Sequence, residues 1–129
     1  MFDFAPFPGA PADVYDAYVE QNVFPACFAN GLPPSEGAVL AATQRPLATS
    51  TFPDQSGLPA WQTIPSRDVI GTNDRIITPA EQPFMANRAA AHITEINAPH
   101  LSMTSGPGAV ASVIIQGCRR NHVTETAGG

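Results

Sequence analysis

The chain has 129 residues, 43% of them hydrophobic, with 14 prolines and 10 glycines. That is room for one compact domain, and enough apolar side chain to exclude a disordered tail. A net charge of −5, with six arginines and no lysine, excludes the clustered cations that nucleic acid or an anionic membrane surface requires, because Arg119 and Arg120 are adjacent without an accompanying basic stripe.

The first residues, MFDFAPFPGAPADVY, have neither a basic n-region nor a sustained apolar run, so they are not a secretory signal peptide. No segment is long enough in apolar residues to cross a bilayer, and a cytoplasmic protein is expected. Across residues 1–12, prolines 6, 8 and 11 argue against any regular element. Met1, Phe2, Phe4 and Phe7 would be exposed on an isolated domain, so this segment reads as one that packs on something else. Val14 to Val19 suits either a strand or one or two helical turns. Val23, Phe24, Cys27 and Phe28 fall at helical spacing and predict a short helix ending near Gly31. After Pro33 and Pro34, Ser35 and Glu36 open a second helix with Val39, Leu40 and Thr43 on its inner face, closed at Arg45-Pro46. Residues 47–60 are turn-formers throughout and read as loop.

The second half changes rhythm. Residues 63–70 lead into a strand, clearest at Asp68–Ile70, and Gly71-Thr72-Asn73-Asp74 is a turn. Thr78 is a good N-cap, with Pro79 at the first helical position and Glu81 near the positive end of the dipole. The helix is expected to turn Phe84, Met85 and Ala89 inward. Residues 91–97 alternate as a strand does, and Ala98-Pro99-His100 is a loop. Ser105 caps a final helix that buries Val110, Val113, Ile114 and Ile115 and ends at Gly117, with a frayed tail beyond Arg120. Strand, helix, strand, helix is the order of a parallel sheet with helices packed on it. Two such strands cannot bury both faces or satisfy their edges, so further strands or a partner are expected to cover them.

Two positions carry a chemical signal. Asp74 lies just beyond one strand and His100 just beyond the next, both at the C-terminal edge where open α/β sheets place their ligands. Taken singly, Asp74 is an ordinary turn aspartate and His100 a loop histidine. Taken together, acid then histidine on consecutive loops is the order that follows the nucleophile in α/β-hydrolases. His92, on a strand with no evident acid partner, reads as structural, and His122 as part of the tail. Trp61 reads as packing and Arg67-Asp68 as a surface pair. Cys27 and Cys118 form no CxxC pair and have no histidine at ligand spacing, so two reduced, partly buried thiols are expected, with no metal or cofactor.

Several blocks then agree in order and spacing. They are Ile64-Pro65-Ser66, Gly71-Thr72 with Asp74, Pro79-Ala80-Glu81-Gln82, Phe84-Met85-Ala86 with Arg88-Ala89, and Pro99-His100-Leu101-Ser102. Through them the chain resembles the C-terminal third of bacterial α/β-hydrolases of the esterase-like branch, over residues 13–117 and most strongly over 59–115. Thr43-Gln44-Arg45-Pro46 resembles a segment of that family's cap. The resemblance implies an α/β chain: a loop-rich, helical cap or lid over residues 1–58, a core segment of two parallel strands with flanking helices over 59–120, and a flexible tail over 121–129. It implies Asp74 as the acid and His100 as the base of a Ser-Asp-His triad, roofed by cap helices that shape an apolar pocket for a small ester-like substrate.

The departures are as definite. No G-x-S-x-G occurs, and Ser35, Ser50, Ser56, Ser66, Ser102, Ser105 and Ser112 all lack the glycine frame of a nucleophile elbow. Arg67 stands where the family often has Trp, Pro83 falls inside the predicted helix, and Ala90 replaces a glycine at the helix end. The complete form is expected to be a serine esterase, and this chain, lacking the nucleophile, to be inactive alone. The alternative is a non-catalytic binding module, in which the cap and an exposed sheet edge recruit a partner strand, a second copy or an apolar ligand. Neither reading involves nucleic acid or membrane.

Overall fold

The computed structural model describes the backbone of residues 1–125 and the side chains of residues 1–119. The chain mixes helices with two small sheets, in the order β1 (Phe2–Ala5), β2 (Asp16–Val19), α1 (Phe24–Cys27), α2 (Pro34–Thr43), β3 (Leu47–Ala48), β4 (Arg67–Gly71), α3 (Gln82–Arg88), β5 (His92–Ile96), α4 (Ser102–Ser105) and α5 (Pro107–Glu125). Single 3₁₀ turns at Thr49–Thr51 and Ala60–Gln62 lie between β3 and β4. Among the described residues no helix is long and apolar enough to cross a membrane.

The N-terminal segment is a strand, not the irregular stretch its prolines suggested. β1 ends at Ala5, ahead of Pro6, so every backbone donor in it is intact. It pairs antiparallel with β2, from Phe2 opposite Val19 to Ala5 opposite Asp16. β3 pairs on the other side of β2, although residues 47–60 read as loop. The side chain of Gln44 joins this sheet to α2. Its Oε1 accepts from Val19 N at 2.8 Å, and its Nε2 donates to Val19 O at 2.8 Å and Ala41 O at 2.9 Å. One amide thus pairs with β2 past the end of the short β3 and satisfies an open carbonyl at the end of the helix.

Helix α2 does not bury Val39 and Thr43. Val39 is 61% exposed, Leu40 is half-buried, and the buried positions are Gly37 and Ala41, one turn apart. A side chain at Gly37 would stand 3.2 Å from Pro25 Cβ, so the small face allows α1 and α2 to approach closely. Val19, Phe24, Ala29 and Ala41 form the core here, and Phe2, Phe28, Leu32, Leu40 and Leu101 pack around it. Leu101 follows His100, so this core also anchors the loop after β5.

In the second half, β4 and β5 pair in parallel, from Arg67 opposite His92 to Gly71 opposite Ile96. Among the described residues each has no other strand neighbour. Among the described residues Ile70, 2% exposed, is the largest fully buried side chain. Helix α3 packs on both strands and α5 on β4. Again the large apolar residues are not the buried ones. Phe84 and Met85 are exposed, while Gln82 and Ala86 are buried. In α5, Val113 is buried but Ile114 and Ile115 are exposed. That helix starts after Gly106, whose carbonyl accepts from Ala109 and Val110, rather than from a Ser105 cap. It also runs to Glu125, well past Gly117, so residues 121–125 of the expected tail are helical, and residues 126–129 of it lie outside the described residues. Cys27 and Cys118 are both free thiols, and Cys118 is exposed rather than partly buried.

Pro83 and Ala90, both unexpected for a helix and its end, find a structural meaning. Pro83 sits in the first turn of α3, where its missing N–H is not needed, so it does not break the helix. Ala90 has φ +48° and is, among the described residues, the only non-glycine residue with positive φ. It closes α3 with the paired bonds Ala90 N to Asn87 O (3.0 Å) and Ala91 N to Ala86 O (3.0 Å), a Schellman arrangement that glycine fits without strain. Ala90→Gly is therefore expected to stabilise the chain by about 0.5–1 kcal/mol, the left-handed strain relieved less the added backbone entropy. Equilibrium urea unfolding measures it, and a lower midpoint would show that Ala90 carries no such strain.

Candidate active site

Asp74 and His100 stand on adjacent loops because the parallel ladder continues past the strand ends. Thr72 N donates to Ile96 O at 2.9 Å and Asn73 N to Ala98 O at 3.1 Å, tying the turn after β4 to the loop after β5. Asp74 N then closes the turn on Gly71 O at 3.1 Å. The Asn73 and Asn97 side-chain amides add a further bond between the same two loops.

Asp74, 8% exposed, is the centre of the arrangement. Its Oδ1 accepts from Ile76 N at 2.7 Å and Ile77 N at 3.1 Å, an Asx turn that carries the chain toward α3. Its Oδ2 accepts from Gln82 Nε2 at 3.2 Å and faces His100 Nδ1 at 2.9 Å. Four donors thus replace water around a buried carboxylate. Just ahead of α3, Glu81 reaches back to the Thr78 N–H at 3.2 Å and to its hydroxyl at 3.1 Å. This is the return half of a capping box, with the helix proper beginning at Gln82 rather than Pro79.

Gln82 is the neighbour of this pair that sequence reasoning missed. Its Nε2 also donates to Ile77 O at 2.5 Å, and its Oε1 accepts from Gly71 N at 3.3 Å. Those two partners fix which end of the amide faces Asp74. The sequence offers only the pair Gln82 and Ala86, one turn apart on one helix face, which gives no hint of these partners.

His100 is held on two further sides. Its ring meets Phe28 edge-on, with centroids 5.1 Å apart and planes at 88°, and Phe28 in turn stacks on Phe24 at 5.0 Å. Leu101 N donates to Phe28 O at 3.2 Å, clamping the loop to the N-terminal core. With Nδ1 directed at the carboxylate, Nε2 is the free ring nitrogen. No hydroxyl or thiol among the described residues hydrogen-bonds it. Such an imidazole, when neutral, carries its proton on Nδ1 and offers a lone pair at Nε2.

Asp74 also borders an open cleft of about 490 Å³ lined by Asn30, Gly31, Thr72, Asn73 and Arg75. Arg75 donates to Ala26 O at 3.1 Å and Asn30 Nδ2 to Asn73 O at 2.9 Å, so this wall is tied to the α1 region. Of the other histidines, His92 lies at the far, N-terminal end of β5, and the backbone of His122 is in α5. Trp61 lies in a 3₁₀ turn, half-buried. Among the described residues no three His, Cys, Asp or Glu side chains converge as a metal site would require. Comparison with protein-family models, with curated proteins and with solved structures gives no match.

Proposed function

We propose that this chain is the acid–base portion of an α/β-hydrolase, with Asp74 orienting His100 as the general base of a serine esterase whose nucleophile is not in the chain. The observation that carries the reading is the 2.9 Å contact between Asp74 Oδ2 and His100 Nδ1, formed at the C-terminal ends of two parallel strands. In the complete form, Nε2 would take the proton of a serine hydroxyl as it attacks an ester carbonyl and return it to the departing alcohol. Residues 1–58, with α1 and α2, are the cap of this reading, and Phe28 is their contact with the histidine. The substrate is a small, apolar carboxylic ester.

The purified chain is expected neither to hydrolyse p-nitrophenyl acetate enzymatically nor to be labelled by a serine-reactive fluorophosphonate. Labelling at a serine of this chain, abolished in His100→Ala, would overturn the absence of a nucleophile. The reading frame upstream of residue 1 supplies a second check, because the proposal predicts a G-x-S-x-G there or in a partner chain.

One observation favours a non-catalytic binding module instead. The β4–β5 pair has both outer edges unpaired among the described residues, and Phe84, Ile93 and Ile114 are exposed near it. Sedimentation of the purified chain separates the two. Concentration-dependent oligomers that persist in Asp74→Asn favour association through those edges, and a monomer with a cooperative melt counts against it.

A further inference from the structure

We propose that the cleft at the N-terminal end of the β4–β5 pair binds a phosphate dianion, either the free ion or the monoester group of a small molecule. The cleft, of about 350 Å³, is lined by Arg67, His92, Gln116 and Arg119. The fold assembles it from three elements. Arg67 and His92 are register partners at the start of the two strands, and α5 brings Gln116 and Arg119 to them one turn apart on one helix face. It lies at the opposite end of the strands from Asp74 and His100, so it stands or falls independently of the esterase reading.

Arg67 is held in place. Its Nη1 donates to Gln116 Oε1 at 3.4 Å, and its Cδ and Nε lie 3.6 and 3.9 Å from where a side chain on Gly117 would begin. Bare helix backbone thus lets the arginine stem lie along α5 with its guanidinium directed to the cleft. Neither Arg67 nor Arg119 enters an ion pair among the described residues, where the ion pairs are Met1–Glu20 and Asp74–His100. A chain of net charge −5 with six arginines in all has placed two of them, with no ion-pair partner among the described residues, on one cleft beside an imidazole. Their mutual repulsion is what a bound anion would offset. Each guanidinium presents parallel N–H groups to two oxygens, and two such forks match a doubly charged phosphate better than a single carboxylate. The volume suits a phosphate with a small organic group rather than a polymer.

The test follows the arginine Nε–H resonances of the full chain in ¹H–¹⁵N spectra at about pH 8, where phosphate is a dianion. Inorganic phosphate, glycerol phosphate and acetate are added separately at constant ionic strength. Saturable shifts of Arg67 and Arg119 are expected with inorganic phosphate or glycerol phosphate, the tighter of the two identifying the source. Affinity is expected to fall about tenfold in Arg119→Gln, the loss of one charge-assisted contact. Arg119 is exposed on α5, and amide shifts unchanged elsewhere verify that the variant is folded. Shifts that stay linear, equal binding of acetate, or undiminished affinity in Arg119→Gln would each overturn the proposal.

Discussion

Replacing Asp74 by alanine is expected to lower the unfolding free energy by about 3 kcal/mol, measured by urea denaturation, and to release His100 from its fixed orientation. The carboxylate is buried and accepts from four groups, and the substitution removes all four bonds at once. Gln82 cannot compensate by turning over, because Gly71 N needs its oxygen and Ile77 O needs its nitrogen. Asp74→Asn separates structure from chemistry. Its single oxygen can keep the two backbone donors, which leaves its nitrogen opposite the nitrogen of Gln82 and opposite His100 Nδ1. The first contact is donor against donor. The second favours the tautomer with the proton on Nε2, the wrong one for a base. Long-range ¹H–¹⁵N spectra of the histidine ring should therefore show Nδ1–H in the parent chain and Nε2–H in the variant. A cost below about 1 kcal/mol in Asp74→Ala, with the ring tautomer unchanged in Asp74→Asn, would show that the carboxylate does not organise this region.

The positions of Asp74 and His100 were legible because they depend on local pattern. Asp68–Ile70 and the alternation over residues 91–97 mark strands, and a turn or Pro99 marks where each ends, so the sheet edge that carries the pair follows from sequence alone. The first sheet was not legible for the opposite reason. Phe2–Ala5 is a strand only by virtue of Asp16–Val19, a segment whose pattern suited a strand or helical turns equally, and a partner across a proline-rich loop leaves no trace in Phe2–Ala5 itself. The buried helix faces were legible only in part, with Val113 buried as expected and most of the other large apolar positions not. Period reading gives weight to large apolar side chains, and beside Leu40, Val110 and Val113 it selected Val39, Phe84, Met85, Ile114 and Ile115, which are exposed. The faces in contact are Gly37 with Ala41 and Gln82 with Ala86, where small residues permit close approach. Gln82 was invisible as a site residue because its role is set by bonds to three separate segments.

Gly71→Ala is the second large effect, and it acts on the site without touching either member of the pair. A Cβ at position 71 would stand 2.7 Å from Ala98 O and 3.1 Å from Pro99 O. Both are backbone atoms of the loop that delivers His100, so no side chain can swing aside. Either the end of β4 or the loop after β5 has to move. The bonds that hold these segments together, Thr72 N to Ile96 O and Asn73 N to Ala98 O, are on the same short stretch and would be strained or broken. Overpacking of this kind costs about 3 kcal/mol. Its more telling consequence is positional. Asp74 stays with its Asx turn and Gln82, whereas His100 is carried away on the displaced loop, so the Nδ1–Oδ2 contact opens. The variant should thus lose stability and the Nδ1–H signature together, while the Asx-turn amides of Ile76 and Ile77 keep their protection from exchange. Retention of the histidine signature in a folded Gly71→Ala chain would mean that the spacing between these two loops does not control the pair. The close backbone approach at a residue with no side chain would then be incidental to the site rather than the condition for it.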